Sequence, residues 1–279
     1  MKKWIFTIVL ASIVAILAAC GGNNDGNEAS NVDETKQLHF GATAGPYSDM
    51  LTKAIIPGLE EKGYEVKLTE FSDYVQPNNA LNDGSIDANL FQHVIYLENF
   101  AEENDMDLKD LIVVPTAPLG LFSNKYESVE DIEDGATVTI PNDPVNAART
   151  LITFEDLGLI EIDGDVEPLK ASEKDITKND KNLEFLPIEA GQLPRSVDDA
   201  DIAAVPGNFA IAANMDLMDA IALEDMPDQF RNIVAVKAED ANKQFALDII
   251  EVIESDEFEA VIDEEFVGFG KPAWMLEKE

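Results

Sequence analysis

Short apolar runs alternate along the chain with longer stretches in which apolar residues recur every three or four positions. Leu38 to Thr43 reads as a strand ending in the turn Gly45-Pro46, and Tyr47 to Lys62 as a helix stopped by Gly63. Pro57 within it predicts a kink or a break, because proline removes a rung of the hydrogen-bond ladder. Tyr64 to Phe71 is a second strand of alternating character. A short helix over Pro77 to Leu81 stops at Asp83-Gly84, and Ile86 to Phe91 gives a third strand. His93 to Asn104 is helical and Leu111 to Thr116 is strand-like. This order favours an α/β fold, a mostly parallel sheet covered by helices.

The second half repeats the style without repeating the sequence. Ala136 to Ile140, Leu183 to Ile188, Asp201 to Val205 and Ile233 to Val236 read as strands. Pro144 to Leu157 and Asn208 to Met215 read as helices, followed by the amphipathic stretches Ala241 to Glu254 and Phe258 to Phe266. Two extended segments, Leu119 to Ser123 and Arg231 to Lys237, are candidate crossovers. With both in that role the chain leaves one lobe, builds a second and returns, and a ligand cleft lies between them.

The beginning of the chain predicts a compartment. Lys2 and Lys3 precede an uncharged, mostly apolar run from Trp4 to Leu17. That run falls short of the roughly 20 residues that span a bilayer, so it reads as a signal-peptide core. Leu17-Ala18-Ala19-Cys20 resembles the lipobox of bacterial lipoproteins, in which the signal is cut before the cysteine and the cysteine carries the lipid. Cys20 is the only cysteine, which excludes an internal disulfide and thiolate zinc sites. From Gly21 to about Lys36 the residues are small, polar or acidic, with too little apolar surface to offset ordering, so a flexible tether is expected. The expected divisions are 1–19 as signal, 20–37 as lipidated cysteine and tether, 38–120 with 234–279 as lobe one, and 121–233 as lobe two.

Charge narrows the partners. The whole chain carries a formal −37, and loss of Lys2 and Lys3 with the signal leaves 17 basic against 56 acidic residues, a net −39. Such a surface opposes nucleic acid and anionic lipid. It also repels itself at low ionic strength, which points to a salt-rich habitat where screening relieves the repulsion.

Candidate chemistry gathers at one helix start. Asp143 suits an N-cap and Pro144 the first helical position. Asn146 and Arg149, three apart, then share a face near that start. Amide groups, helix dipole and guanidinium together make an anion site suited to a carboxylate. An alternative partner for Arg149 is a neighbouring Asp or Glu, easily found in so acidic a chain. Phe91, His93 and Tyr96 crowd the end of a strand and the start of a helix, and Tyr74 ends another loop. Aromatic core packing competes with a pocket role, most strongly for Phe91. His39 is the only other histidine, which argues against metal ligation by His93, and no cofactor signature is present.

Several of these stretches carry a resemblance. Phe71-Ser72-Asp73-Tyr74-Val75-Gln76-Pro77-Asn78, Asp87-Ala88-Asn89 with Phe91-Gln92-His93, and Pro141-Asn142-Asp143-Pro144-Val145-Asn146-Ala147-Ala148-Arg149 occur in order. Gln192-Leu193-Pro194-Arg195-Ser196 and Asn232-Ile233-Val234-Ala235-Val236 follow. In these the chain resembles the MetQ/NlpA family, the methionine-binding lipoproteins of ABC importers. The resemblance implies a two-lobed periplasmic-binding-protein fold of type II character with ligand in the inter-lobe cleft. It implies a methionine-like amino acid as ligand, an ABC permease and ATPase as partners, and a lipid-anchored place on the extracytoplasmic face of the membrane. It also implies that Tyr74, Phe91, His93, Tyr96, Asn146 and Arg149 line the ligand, with His93 as a neutral wall or hydrogen-bond partner. Arg195 reads as structural, helping to start a helix after Pro194.

One position departs from the family. Where its members usually have Ile-Asn before an Asn-Tyr-Ala segment, this chain has Val205-Pro206-Gly207-Asn208-Phe209-Ala210. Pro206 offers neither a side-chain amide nor a backbone N–H. Asn208 either takes over the missing contact or caps the next helix. Another small amino acid, a methionine derivative or a Met-containing dipeptide are alternative ligands. A surface receptor or adhesion lipoprotein is the alternative role. Catalysis finds no nucleophile elbow, metal cluster or phosphate loop to rest on.

Overall fold

Leu38, Phe40 and Ala42 occupy every second position of the first strand and are buried, and Gly41 and Thr43 between and after them are buried too, so the end of the strand is covered on both faces. The computed structural model describes residues 36–277. The candidate signal segment, Cys20 and nearly all of the tether lie outside the described residues. Within them, no helix is long and apolar enough to cross a membrane.

The strands run in chain order as β1 (Lys36–Thr43), β2 (Tyr64–Phe71), β3 (Ala88–His93), β4 (Leu108–Val113), β5 (Gly120–Phe122) and β6 (Thr137–Pro141). They continue as β7 (Glu161–Ile162), β8 (Ile176–Lys178), β9 (Glu184–Ile188), β10 (Ile202–Val205), β11 (Ala222–Leu223) and β12 (Asn232–Lys237). Two five-stranded sheets result, ordered β2-β1-β3-β12-β4 and β11-β5-β10-β6-β9, with β7 and β8 forming a small ribbon. This is a two-lobed α/β fold with one sheet in each lobe.

The sheets are more mixed than the sequence predicts. β1 lies parallel to β2 and β3, but β12 is antiparallel to both its neighbours. In the other sheet β6 is parallel to β9 and β10, while β5 is antiparallel to β10 and β11. The antiparallel strands are those flanking the passages between lobes, where the chain enters a sheet from the other lobe and not from a crossover helix. The passages themselves also shift. Leu119–Ser123 and Arg231–Lys237, expected as crossovers, mostly form β5 inside one sheet and β12 inside the other, and the chain changes lobes through 114–119 and 224–231.

The break at Pro57 takes a specific form. α-Helix spans Pro46–Met50 and Ile56–Glu61, with a π-helical turn over Leu51–Ile55 between them. Pro57 has no N–H for the carbonyl four residues back, and the ladder widens just before it, with Ile56 N–H donating to Leu51 O. Other helices keep close to their predicted spans, including Pro144–Asp156, Gly207–Ala212, Gln244–Ile253 and Asp256–Glu265.

Each sheet has its own core. Phe40, Met50, Leu51, Ile55, Val234, Ile249 and Phe258 pack on the first, and Val138, Ile140, Leu151, Phe154 and Ile202 on the second. The segment after the last long helix ties down both passages. Gly270 exchanges backbone hydrogen bonds with Thr116 at 2.9 and 3.2 Å, and its carbonyl also accepts from Arg231 Nη1 at 2.6 Å. Trp274 Nε1 donates to Val113 O at 2.8 Å.

Candidate functional site

Four parallel strands end around one point between the lobes. Tyr74 follows the end of β2, His93 is the last residue of β3, Asn146 and Arg149 lie in the helix after β6, and Pro206 follows β10. Ligands of open α/β sheets bind beyond the carboxyl ends of strands for this reason: loops and helix starts converge there. Between these ends lies a small cavity, with about 340 Å³ of atom-free space when the open solvent at its mouth is counted. All seven residues expected in a pocket line it: Tyr74, Phe91, His93, Tyr96, Asn146, Arg149 and Asn208.

The helix Pro144–Asp156 begins as its sequence dictates. Asp143 is the N-cap, its Oδ1 accepting from Asn146 N–H at 2.8 Å, and Pro144 occupies the first turn. The Asn146 side chain turns back to the same carboxylate, with Nδ2 3.1 Å from Oδ1 and 3.2 Å from Oδ2. Burial raises the pKa of Asp143, opposed by these bonds from Asn146. The first free amides of this helix are thus partly used by its own cap.

His93 joins the two lobes. It caps the helix Val94–Glu103 by accepting from Tyr96 N–H at Nδ1, 3.2 Å away. With Nδ1 an acceptor, the proton of the neutral ring lies on Nε2, which donates to Asn146 Oδ1 at 3.3 Å. Burial pushes its pKa down to about 3, and the nearby Arg149 charge acts in the same direction. His93 is therefore a neutral hydrogen-bonding wall at ordinary pH.

The aromatic side is continuous. Tyr74 lies 4.9 Å from Phe209 and 5.8 Å from both Phe91 and Tyr96, measured between ring centroids. Burial raises the hydroxyl pKa of Tyr47, Tyr74 and Tyr96, so all three stay neutral. Such rings present an apolar surface with polar tips.

Asn208 is not a helix cap. Pro206 holds the cap position of the helix Gly207–Ala212 and makes no side-chain cap bond. The Asn208 amide instead accepts from Tyr74 Oη at 2.7 Å and approaches Thr43 Oγ1 at 3.4 Å. Between them Gly207 meets the first passage so closely that a Cβ would stand 2.4 Å from Pro118 O. That close approach explains the glycine and brings the helix start to the cavity wall. Gly191 does the same on the rim, where a Cβ would lie 2.9 Å from Ser72 O of the opposite lobe.

Arg149 is the largest departure from expectation. Its guanidinium is not free: Nε donates to Glu224 Oε1 at 2.7 Å and Nη2 to Glu224 Oε2 at 2.5 Å, with both side chains buried. Glu224 Oε2 also accepts from Leu119 N–H at 2.8 Å. Phe230 covers the guanidinium face at 5.0 Å. Burial alone opposes the charge on Arg149, but Glu224 outweighs it and the pKa is raised. Breaking such a buried pair from one side costs about 3–5 kcal/mol.

Sequence reasoning missed Glu224, whose partner lies 75 positions away with no periodicity to connect them. Tyr47, Gln92, Thr116 and Asn232 also line the cavity. Gln92 and Asn232 stood within the resembling stretches, which was the available signal for them. Gln92 belongs to a buried amide network, exchanging two 2.7 Å hydrogen bonds with Asn78. Arg195 is exposed, in the short helix Leu193–Ser196 that Pro194 opens. Among the described residues no cluster of His, Cys, Asp and Glu is suited to hold a metal ion.

Known proteins share this architecture. The family profile described as NlpA lipoprotein matches residues 38–274. The methionine-binding lipoprotein MetQ of Bacillus subtilis is 34% identical over 273 residues, covering 96% of this chain and 97% of that protein. A nutrient binding protein from Burkholderia cenocepacia, solved bound to methionine, superposes with a TM-score of 0.80 at 33% identity, covering 84% of this chain and 99% of that one. An ABC transporter periplasmic substrate-binding protein from Coxiella burnetii gives 0.78 at 32% identity, covering 84% and 99%.

Proposed function

The chain belongs to the NlpA lipoprotein family, and we propose that it binds methionine or a closely related amino acid outside the cytoplasm and hands it to an ABC permease and its ATPase. The observation that carries this reading is the inter-lobe cavity itself, where one buried guanidinium faces neutral amides and a wall of aromatic rings. The methionine bound to the Burkholderia relative supports the same choice.

In this reading the ligand carboxylate takes Arg149 Nη1, the nitrogen that Glu224 leaves without a hydrogen bond. A charge-assisted bond of this kind contributes roughly 1.5–3 kcal/mol. The thioether rests on Tyr74, Phe91 and Tyr96, where each sulfur–aromatic contact adds roughly 0.3–1.5 kcal/mol. His93, Asn146 and Asn208 supply polar contacts around the α-carbon. Pro206 removes the amide that the resembling family usually has there, so Asn208 carries more of that role.

The lobes are read as 38–120 with 234–279 and 121–233, adjusted at the passages because β5 begins at Gly120 and β12 at Asn232. Residues 1–19 are read as a signal and Cys20 as lipidated, which places the protein on the extracytoplasmic face by its lipid. Membrane fractionation of Cys20→Ser tests the anchor, and equal retention would remove it. Binding and delivery, not catalysis, is the role, with no cofactor needed.

Calorimetry on ligand-stripped protein with L-methionine, its D-isomer and its sulfoxide tests the ligand. At least one is expected to bind in the micromolar range or tighter. Binding of all three no better than millimolar would overturn the methionine reading.

A further inference from the structure

The pair formed by Arg149 and Glu224 does more than fill space. Both side chains are buried, Arg149 in the cavity wall and Glu224 behind it, and the partners of Glu224 are Arg149 and Leu119 N–H. Its two oxygens take the Nε and Nη2 edge of the guanidinium, and Leu119 N–H and the chain of β11 hold the carboxylate in turn. Both N–H groups of Nη1 and the second N–H of Nη2 remain for a visitor. The other ionisable groups at the site are neutral His93, neutral Tyr47, Tyr74 and Tyr96; the half-buried Asp143 stands behind Asn146, near enough for the Arg149 charge to favour its ionised form. The cavity therefore holds a guanidinium whose charge is already matched.

We infer that Glu224 is a specificity-determining residue that restricts the cavity to ligands without net charge: it positions Arg149 to grip a carboxylate while cancelling the positive field that would admit any anion. This rests on the reading of the cavity as an amino-acid site. A zwitterion brings a carboxylate to Nη1 and an ammonium that the surrounding acids and amide oxygens tolerate. A carboxylate lacking the ammonium brings an uncompensated negative charge into a poorly solvated site backed by Glu224 behind Arg149 and by Asp143 behind Asn146. Charges within a few ångströms in such a medium interact far more strongly than in water, so the discrimination is large.

The test compares two ligands on three proteins by calorimetry. The ligands are L-methionine and its deaminated analogue, a methylthio-substituted butanoate that keeps the carboxylate and thioether but lacks the ammonium. The parent is expected to prefer methionine. Glu224→Gln keeps an oxygen acceptor but removes the charge, and it should move the affinity ratio towards the butanoate by roughly tenfold or more. Glu224→Asp keeps the charge on a shorter arm and should weaken both ligands while leaving the ratio near the parent's. A purely structural Glu224 would weaken both ligands equally in Glu224→Gln, and an unchanged ratio overturns the inference.

Should Glu224→Gln fail to fold, Asp143→Asn serves in its place, because asparagine also caps helices. It removes the second acid near Arg149 and must shift the ratio the same way by a smaller factor; no shift counts against the inference. Binding of the butanoate by Glu224→Gln, with neither compound bound by the parent, would support the charge assignment and overturn the methionine reading. Binding of neither compound by either protein would overturn both.

Discussion

Tyr74 Oη donates to Asn208 Oδ1 at 2.7 Å, and the bond joins a loop of the first sheet to a helix of the second. The same tyrosine ring packs against Phe209, beside Asn208 in that helix, so one residue supplies both an apolar and a polar contact across the cleft. Tyr74→Phe keeps the packing and deletes the bond, leaving Asn208 Oδ1 without that donor. Loss of a buried partner costs about 1–3 kcal/mol. Ligand affinity should fall by roughly 5- to 150-fold, mostly through faster dissociation. Stopped-flow release kinetics read this directly, and an unchanged off-rate would mean that the bond plays no part in holding the lobes shut.

A second prediction concerns the rim. Gly191 does not line the cavity, yet a Cβ there would press on Ser72 O across the seam at 2.9 Å. Gly191→Ala should hinder closure and weaken binding several-fold, while the ligand-free protein melts within about 0.5 kcal/mol of the parent. Small-angle scattering with saturating ligand should give a larger radius for the variant. Full closure and parental affinity together would show that the seam gives way without cost.

The acid limb of stability should carry a signature of His93. Burial lowers its pKa to about 3 from the usual value near 6.5. Between those values the unfolded chain binds a proton that the folded chain does not, so stability rises with pH across this window. The contribution of neutral His93 is complete above about pH 6.5 and is lost as pH falls towards 3. Below about pH 5 the abundant carboxylates also begin to titrate, so the useful comparison is from pH 6.5 to 5. There His93→Gln should melt with a flatter pH dependence than the parent. Parallel curves would show that another group dominates that limb.

Salt should stabilise the protein. With 56 acids against 19 basic residues, repulsion among surface carboxylates is long-ranged at low ionic strength. Raising salt from 0.1 to 1 M shortens the screening length from about 10 to about 3 Å. The melting temperature is expected to climb over that range. A flat or falling curve would mean that the acids are locally compensated, as Glu265 is by Lys53 and Glu251 by Lys62.

Much of the fold was legible because its signals are local. Alternation at Leu38, Phe40 and Ala42, the cap pair Asp143-Pro144 and the stop at Gly84 each act within a few residues, and each element formed near its predicted place. Strand direction was not legible, because β12 takes its orientation from where the chain has been and not from Asn232 to Lys237 themselves. The aromatic and amide residues of the cavity were readable from the resembling stretches. The state of Arg149 was not: its binding edge is set by Glu224, Leu119 and Phe230, three residues from three other segments. Asn208 lay between, with two roles open in the sequence, and the hydrogen bond from Tyr74 excludes the cap.

The position of β12 has a consequence for the order in which the protein is made. Every strand of the second sheet lies between residues 120 and 223, so that sheet can pair as soon as its own stretch has emerged. The first sheet begins at Lys36 but lacks an inner strand until Asn232 to Lys237 arrives, and before then β3 and β4 have no partner between them. Begun first, that lobe is completed last, and β3 waits with an open edge while the whole of its neighbour is assembled. A chain of this topology is vulnerable for about half of its synthesis at one strand, Ala88–His93, which ends in the histidine that will later face the cavity. Truncation before residue 232 would leave the second sheet's strands complete and the first sheet's order broken in the middle.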